Sequence, residues 1–235
     1  MADRKLPEVS YLRLGYLLFV YFGVYLFILP YLFAKLTLWY DPSATMIPLS
    51  LQYFAYGITF ILIIYGSKPV LIKSYQLLKG NLIGIIKTVI GHACILLLLN
   101  MVLSIFVSLL TKTTTSNNQS EIIQSSYAQP VLNMIVTIGF APIVEECVFR
   151  GGIYLKLRSR LGFFASGAIS AACFGLIHVL SSVTNGNLID ISYLLVYAGI
   201  GFLLAYTMEK TKTIYACMLV HAICNLVSLM VIYIN

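Results

Sequence analysis

Long apolar runs separated by short polar segments dominate the chain. Seven of these runs reach the ~20 residues that an α-helix needs to cross the hydrocarbon core of a bilayer. They predict spans near Tyr11–Phe33, Ile47–Tyr65, Leu82–Leu110, Val131–Leu155, Phe163–Leu180, Ile191–Met208 and Ile214–Ile234. We therefore expect an all-α fold, a polytopic transmembrane helical bundle of about seven spans.

The composition indicates the same environment. Hydrophobic residues make up 60% of the 235 residues, and charged residues only 10%, which is typical of chains that face lipid rather than water. The first apolar run is longer than the ~7 to 15 residues of a signal peptide and has no small-x-small cleavage site, so we expect it to remain as the first span. All five cysteines fall in apolar segments without CxxC spacing, which favours neither disulfides nor a thiolate metal site.

The charge pattern predicts an orientation in the membrane. The net charge is +7, but the cations form short patches between apolar runs, so we expect a membrane surface and no nucleic acid as their partner. One set of connecting segments holds Arg4, Lys5, Lys68, Lys73, Lys79, Lys156, Arg158, Arg160, Lys210 and Lys212. The opposite set holds Asp41, Asp190 and the polar stretch Thr111–Gln129, which we expect to be an outer loop. The positive-inside rule then predicts an integral, multi-pass membrane protein with a cytoplasmic N-terminus.

The chemistry is concentrated in the second half of the chain. We divide the sequence into residues 1–130, three N-terminal transmembrane helices, and residues 131–235, a catalytic core of four spans. His92 is the one histidine in the first part, and we interpret it as structural or interfacial.

The fourth span carries three ionisable residues. A charge at the centre of a membrane helix costs about 2.5 kcal/mol or more, so such residues suggest function. Glu146 and Arg150 are four residues apart and should face each other, whereas Glu145 points about 100° away. Glu145 is then left without a local counter-charge, which suits a general base.

The fifth and seventh spans each carry a histidine in a four-residue spacing. Phe174 and His178 share one helix face, and His221 and Asn225 share another. An imidazole can hold or deprotonate water, and a neighbouring His and Asn can donate hydrogen bonds to an oxyanion. Together with Glu145, the set predicts peptide-bond hydrolysis without a covalent intermediate.

The three motifs EECVFR, FGLIH and HAICN occur in this order between residues 145 and 225. They resemble EExxxR, FxxxH and HxxxN of the CAAX protease and bacteriocin-processing (CPBP, or Abi) family, whose relatives include Rce1-like prenyl-protein endopeptidases. The resemblance implies a glutamic-type intramembrane peptidase, a hydrolase in which Glu145 and His178 activate water and His221 and Asn225 form the oxyanion site. Glu146 and Arg150 would support the site, and Phe174 would pack beneath it. It also implies a protein of the bacterial cell membrane that serves bacteriocin processing or immunity, or maturation of secreted peptides.

Other interpretations of the same residues stay open. Taken singly, the Glu–Arg pair could be a structural ion network, His178 a core histidine, and Asn225 an interhelical hydrogen-bond donor. No cofactor is required by the glutamic mechanism, but Glu145, His178 and His221 would also make a zinc set in a metal-dependent variant. A protein of another class, a membrane immunity or regulatory factor that binds without catalysis, would carry the same motifs. For the enzyme we expect a substrate that arrives from the bilayer, a hydrophobic peptide or a prenylated or otherwise lipidated protein.

Overall fold

The computed structural model describes residues 5–234 and contains eight helices and no strand within that range. The helices are α1 (Tyr11–Tyr40), α2 (Leu49–Lys79), α3 (Leu82–Thr111), α4 (Asn117–Ala128), α5 (Pro130–Arg158), α6 (Phe163–Thr184), α7 (Leu188–Thr211) and α8 (Ile214–Ile234). All except α4 are long and apolar enough to cross a membrane. The prediction of an all-α bundle with seven spans is confirmed, and the chain is a multi-pass membrane protein. Arg4 lies outside the described residues.

Several spanning helices are longer than their apolar runs. The helix α2 continues to Lys79 instead of ending near Tyr65, so Lys68 and Lys73 lie within it and not in a connecting segment. Its 31 residues would extend about 46 Å, which is roughly the thickness of a bilayer with its headgroups. The apolar run marks only the part within hydrocarbon, because a lysine near a helix end reaches the interface with its flexible stem.

The polar stretch Thr111–Gln129, predicted as a loop, contains the helix α4. The helix begins there because the Ser116 side chain accepts a hydrogen bond from the backbone N–H of Gln119 at 3.1 Å, which satisfies one of the free donors of the first turn. At its other end, Asn133 Nδ2 donates to Ser126 Oγ at 2.7 Å. The loop prediction is therefore wrong for this segment, whose amphipathic signal is too weak to stand out in a polar run.

The helices α6 and α7 pack closely through glycines. A Cβ atom placed on Gly201 would lie 2.9 Å from Cα of Ala171, and one on Gly175 would lie 3.1 Å from the backbone nitrogen of Ala198. Small residues let two membrane helices approach to backbone contact. This approach brings the backbone of α7 within reach of side chains from α5.

A carboxylate joins the ends of α5 and α7. Glu209 accepts hydrogen bonds from Arg158 Nε at 3.1 Å, from Lys212 Nζ at 2.9 Å and from the Tyr154 hydroxyl. The cations of two separate patches thus meet at one end of the bundle, which fixes the position of α5 along its axis relative to α7.

Candidate active site

The two adjacent glutamates lie on an irregular part of α5. Glu145 and Glu146 belong to the α-helical stretch Ala141–Val148, which is flanked by π-helical stretches at Ile135–Phe140 and Phe149–Tyr154. Wider π-helical turns change the direction in which side chains leave a helix and are frequent at functional sites. The sequence predicted one regular span here and did not indicate these turns.

Glu146 and Arg150 form a fully buried ion pair. Arg150 Nη1 lies 2.9 Å from Glu146 Oε1, as their four-residue spacing predicted, and neither side chain is exposed. Arg150 Nη2 donates to the carbonyl oxygen of Gly201 at 2.9 Å, and its guanidinium carbon lies 4.6 Å from the ring centroid of Phe174. The guanidinium is therefore held by a carboxylate, a carbonyl and an aromatic face together.

His221 lies between the two glutamates. Its Nδ1 is 3.0 Å from Glu146 Oε1, and its Nε2 is 3.9 Å from Glu145 Oε2. The Glu146 oxygen that faces Nδ1 already accepts a hydrogen bond from Arg150 and acts as an acceptor here too, so Nδ1 is the nitrogen that donates to it. The other ring nitrogen is thereby directed toward Glu145.

Glu145 differs from Glu146 in its partners. Its Oε2 is buried and has no hydrogen-bond partner among the described residues, while 14% of the side chain remains exposed. A buried carboxylate oxygen with free lone pairs can accept a hydrogen bond from a water molecule or from a substrate N–H.

His178 is oriented by a backbone carbonyl. Its Nδ1 lies 2.8 Å from the carbonyl oxygen of Phe174. A carbonyl oxygen only accepts, so Nδ1 carries the hydrogen and Nε2 of the neutral ring carries the lone pair. Asn225 is oriented in a similar way, since its Nδ2 donates to the carbonyl oxygen of Thr137 at 2.8 Å. The second hydrogen of that amide nitrogen remains available for a ligand.

One cavity of about 1140 Å³ collects most of the predicted side chains. Its wall includes Glu145, Phe174, His178, His221 and Asn225. Glu146 and Arg150 do not line the cavity, but Glu146 is hydrogen-bonded to His221 and Arg150 packs against the ring of Phe174, and both of these residues line it. Within residues 5–234 no hydrogen bond or ion pair joins Glu145 directly to His178. The cavity is larger than the ~300–1000 Å³ of typical small-molecule pockets and has room for a segment of peptide chain.

The described side chains around the cavity do not form a group of metal ligands. Among residues 5–234 there is no group of three or more His, Cys, Asp or Glu side chains that could hold one. Glu145, His178 and His221, the three ligands of the zinc alternative, line the same cavity without forming such a group.

The sequence did not indicate several other residues of the cavity. Tyr25 and Tyr56 come from α1 and α2 and line it together with Glu145. Tyr197 from α7 stacks on the His178 ring, with centroids 4.6 Å apart and an interplanar angle of 22°. Aromatic residues are common in apolar spans, and none of these three stands in a motif or a four-residue spacing with a charged residue, so no pattern distinguishes them.

The comparison with protein families concerns the segment that carries the three motifs. Residues 127–227 match the family model described as "Type II CAAX prenyl endopeptidase Rce1-like". This segment is therefore similar to the Rce1-like family. The Rce1-like segment contains all seven of the residues predicted from the three motifs.

Two curated relatives match about the same share of the chain. YdiL of Bacillus subtilis (strain 168), whose name describes it as a candidate membrane peptidase, is 31% identical over 110 residues, which is 47% of this chain and 41% of YdiL. An uncharacterized protein of Mycoplasma capricolum subsp. capricolum is 30% identical over 108 residues, which is 46% of this chain and 30% of that protein. The chain thus spans less than half the length of these relatives. No solved structure matches the chain.

Proposed function

We propose that the protein is an intramembrane endopeptidase that hydrolyses a peptide bond in a hydrophobic or lipidated substrate with a water molecule activated by Glu145 and His178. The observation that carries the proposal is the unpartnered, buried Glu145 Oε2 in a cavity that it shares with His178, His221 and Asn225. The Rce1-like match and the name of YdiL support a membrane protease.

Glu145 acts as the general base. Its free oxygen accepts a proton from water, and the hydroxide attacks the carbonyl carbon of the scissile bond. His178 holds the same water through the lone pair of Nε2. The proton then passes from Glu145 to the leaving nitrogen as the C–N bond breaks, which returns the carboxylate to its starting form.

His221 and Asn225 stabilise the tetrahedral intermediate. Asn225 donates its second amide hydrogen, because the first is taken by the carbonyl of Thr137. His221 directs Nε2 toward Glu145 and the site, and in its imidazolium form it donates from that nitrogen. Glu146 and Arg150 act through His221 and do not touch the substrate.

The substrate reaches the site from the bilayer. The cavity lies among apolar helices and is lined by both polar and apolar side chains, including Leu96 and Asn100 from α3 and Val227 and Ser228 from α8. Such a wall suits a peptide whose backbone is polar and whose side chains or lipid group are apolar. Processing or immunity directed at a bacteriocin-like peptide fits this chemistry.

The test uses Glu145→Gln, which keeps the size of the side chain and removes the base. New peptide termini are counted by mass spectrometry in membranes and medium of cells that express the wild type or a variant. We expect termini that depend on the wild-type protein and fall by about 10²- to 10⁴-fold with Glu145→Gln. Glu121→Gln is the matched control, because Glu121 is an exposed glutamate that lines the same cavity from α4, and we expect it to keep the wild-type pattern.

The remaining outcomes separate the alternatives. If Glu145→Gln leaves both the termini and the cellular phenotype unchanged, the protein works by binding and the proposed activity is wrong. A zinc chelator is added in a parallel arm. Loss of the termini on chelation, with recovery on added zinc, would replace the glutamic mechanism with the metal-dependent one.

A further inference from the structure

A single hydrogen bond, from Nδ1, restrains rotation of the His178 ring within its own plane. The contact between Nδ1 and the carbonyl of Phe174 determines where one edge of the ring points, but it leaves the ring able to tilt about that bond. A second contact, perpendicular to the ring, is needed to fix the direction of Nε2.

Tyr197 supplies that contact. Its ring lies almost parallel to the His178 ring, at 22° and 4.6 Å between centroids, on the wall of the cavity. Phe174 also approaches the imidazole, with a centroid distance of 4.6 Å and an angle of 45°. Parallel packing of this kind resists tilting, because tilting would separate the two faces.

The other end of Tyr197 is tied to α4. Its hydroxyl is hydrogen-bonded to Ser116 Oγ at 2.6 Å and accepts a hydrogen bond from Asn118 Nδ2 at 3.2 Å. Ser116 is buried and is also the residue that caps the first turn of α4. Close by, Asp190 accepts from the backbone N–H of Asn117 at 3.1 Å. The start of α4 is thus held against α7 by hydrogen bonds to Tyr197 and Asp190.

We propose that Tyr197 is a positioning residue that holds the imidazole of His178 in its catalytic orientation and links this orientation to α4. The inference rests on the proposed function. Tyr197 acts through His178, and its hydroxyl is occupied by α4. A movement of the first turn of α4 would displace the phenol and tilt the imidazole. The position of α4 therefore affects the orientation of His178.

The chain contains a matched control for this arrangement. His92 stacks on Tyr206 at 5.4 Å and 25°, and its Nδ1 is hydrogen-bonded to Thr207 at 2.8 Å. His92 is therefore also held by one hydrogen bond and one tyrosine face, but His92, Tyr206 and Thr207 do not line the cavity.

The experiment measures the reactivity of each histidine in the full-length protein in detergent micelles. The rate of carbethoxylation by diethyl pyrocarbonate is followed by mass spectrometry for the wild type, Tyr197→Leu, Tyr197→Phe and Tyr206→Leu. We expect Tyr197→Leu to raise the rate at His178 several-fold and to leave His92 unchanged, and Tyr206→Leu to do the reverse. Tyr197→Phe keeps the stacked ring and loses the link to α4, so its rate at His178 should lie between those of the wild type and Tyr197→Leu.

Cleavage kinetics provide the second readout. We expect Tyr197→Leu to lower kcat on the order of 10- to 100-fold with little change in KM, and Tyr197→Phe to recover most of that loss. Asn118→Ala removes one of the two hydrogen bonds to the phenol and keeps the cap of α4, so its kcat should lie between those of the wild type and Tyr197→Phe.

Each result has one meaning. An unchanged rate at His178 in Tyr197→Leu overturns the positioning role, and so does an unchanged kcat in a variant whose His178 has become more reactive. If Tyr197→Leu does not fold, Tyr197→Phe and Asn118→Ala decide instead, and an unchanged rate at His178 in both overturns the proposed link between its orientation and α4. If the wild type cleaves nothing, the proposed function fails, and the modification rates alone decide whether Tyr197 holds His178.

Discussion

Arg150 is the largest fully buried side chain among the described residues. A charge at this depth is costly in lipid, and it is tolerated here because Glu146, the carbonyl of Gly201 and the face of Phe174 surround the guanidinium. The same Glu146 oxygen that binds Arg150 also binds His221. The stability of this part of the bundle and the orientation of His221 therefore depend on one carboxylate.

Replacement of Arg150 by methionine should destabilise the protein strongly. Met fills much of the space but leaves Glu146 buried without its cation, and the loss of one member of such a pair costs about 3–5 kcal/mol. The measurement is the free energy of unfolding in mixed micelles as denaturing detergent is added. Arg160→Met is the control, since Arg160 is exposed and its guanidinium carbon lies 5.1 Å from the ring centroid of Tyr11.

A double variant separates pairing from packing. In Glu146→Gln with Arg150→Met no buried charge is left over, so the combined loss should be smaller than the sum of the two single losses. Strictly additive losses would mean that the two charges do not depend on each other and that the ion pair is not what stabilises this site.

Local spacing on a helix determined what could be predicted at this scale. Glu146 and Arg150 were predicted to pair because the partner lies on the same helix, four residues away. The partner of Asn225 is a backbone carbonyl of Thr137 on α5, 88 residues earlier. Contacts between distant helices leave no periodic signal in a single sequence, so this contact and the stacking of Tyr197 on His178 were not found.

At the scale of whole elements, the apolar runs located every spanning helix but not its internal geometry. The two π-helical stretches of α5 contain ordinary membrane residues, such as Ile135 and Phe149. Their winding depends on how neighbouring helices pack against them, and no local propensity records this. The short helix α4 was missed for a related reason, because its hydrogen bonds to α7 and to the start of α5 help to hold it in place.

The close approach of α6 and α7 leads to a prediction about Gly201. A methyl group on this residue would lie 2.9 Å from Cα of Ala171, so Gly201→Ala must push the helices apart. Overpacking of this kind costs about 1–3 kcal/mol, and the shift would also move the carbonyl that accepts from Arg150. We expect a lower thermal midpoint in micelles, measured by loss of helical circular dichroism.

Gly91 provides the comparison for that variant. It lies within α3, and a Cβ atom there would meet nothing within 4 Å. Gly91→Ala should leave the midpoint unchanged or raise it slightly, because alanine has the better helix propensity. Equal effects of the two substitutions would rule out helix spacing as the cause.

At the scale of the whole molecule, both parts of the chain contribute to one cavity. The last four spans contain the motif residues, but Tyr25 of α1 and Tyr56 of α2 also line the cavity beside Glu145. These two spans lie outside the Rce1-like segment. The sequence division at residue 130 separates the motifs from the rest of the chain, and it does not separate the walls of the cavity.

The basic ends of the helices gather at one end of the bundle. Arg158 at the end of α5 and Lys212 after α7 meet on Glu209, and Lys156 Nζ donates to the carbonyl of Val9 at 3.3 Å. The N-terminal segment and two of the basic patches are therefore on the same side of the membrane. The positive-inside rule predicts that this side faces the cytoplasm.

Fusions to alkaline phosphatase, which is active only outside the cytoplasm, test this orientation. We expect no activity for fusions after Gly80, between α2 and α3, or after Gly162, between α5 and α6, because each junction lies beside a basic helix end. A fusion after the last residue should be active, because seven spans return the C-terminus to the opposite side. A fusion within the segment before α4, after Thr115, should also be active, because three spans separate it from the N-terminus. The inverse pattern at all four positions would reverse the orientation, and it would place α4, and with it the hydrogen bonds to Tyr197, on the cytoplasmic face.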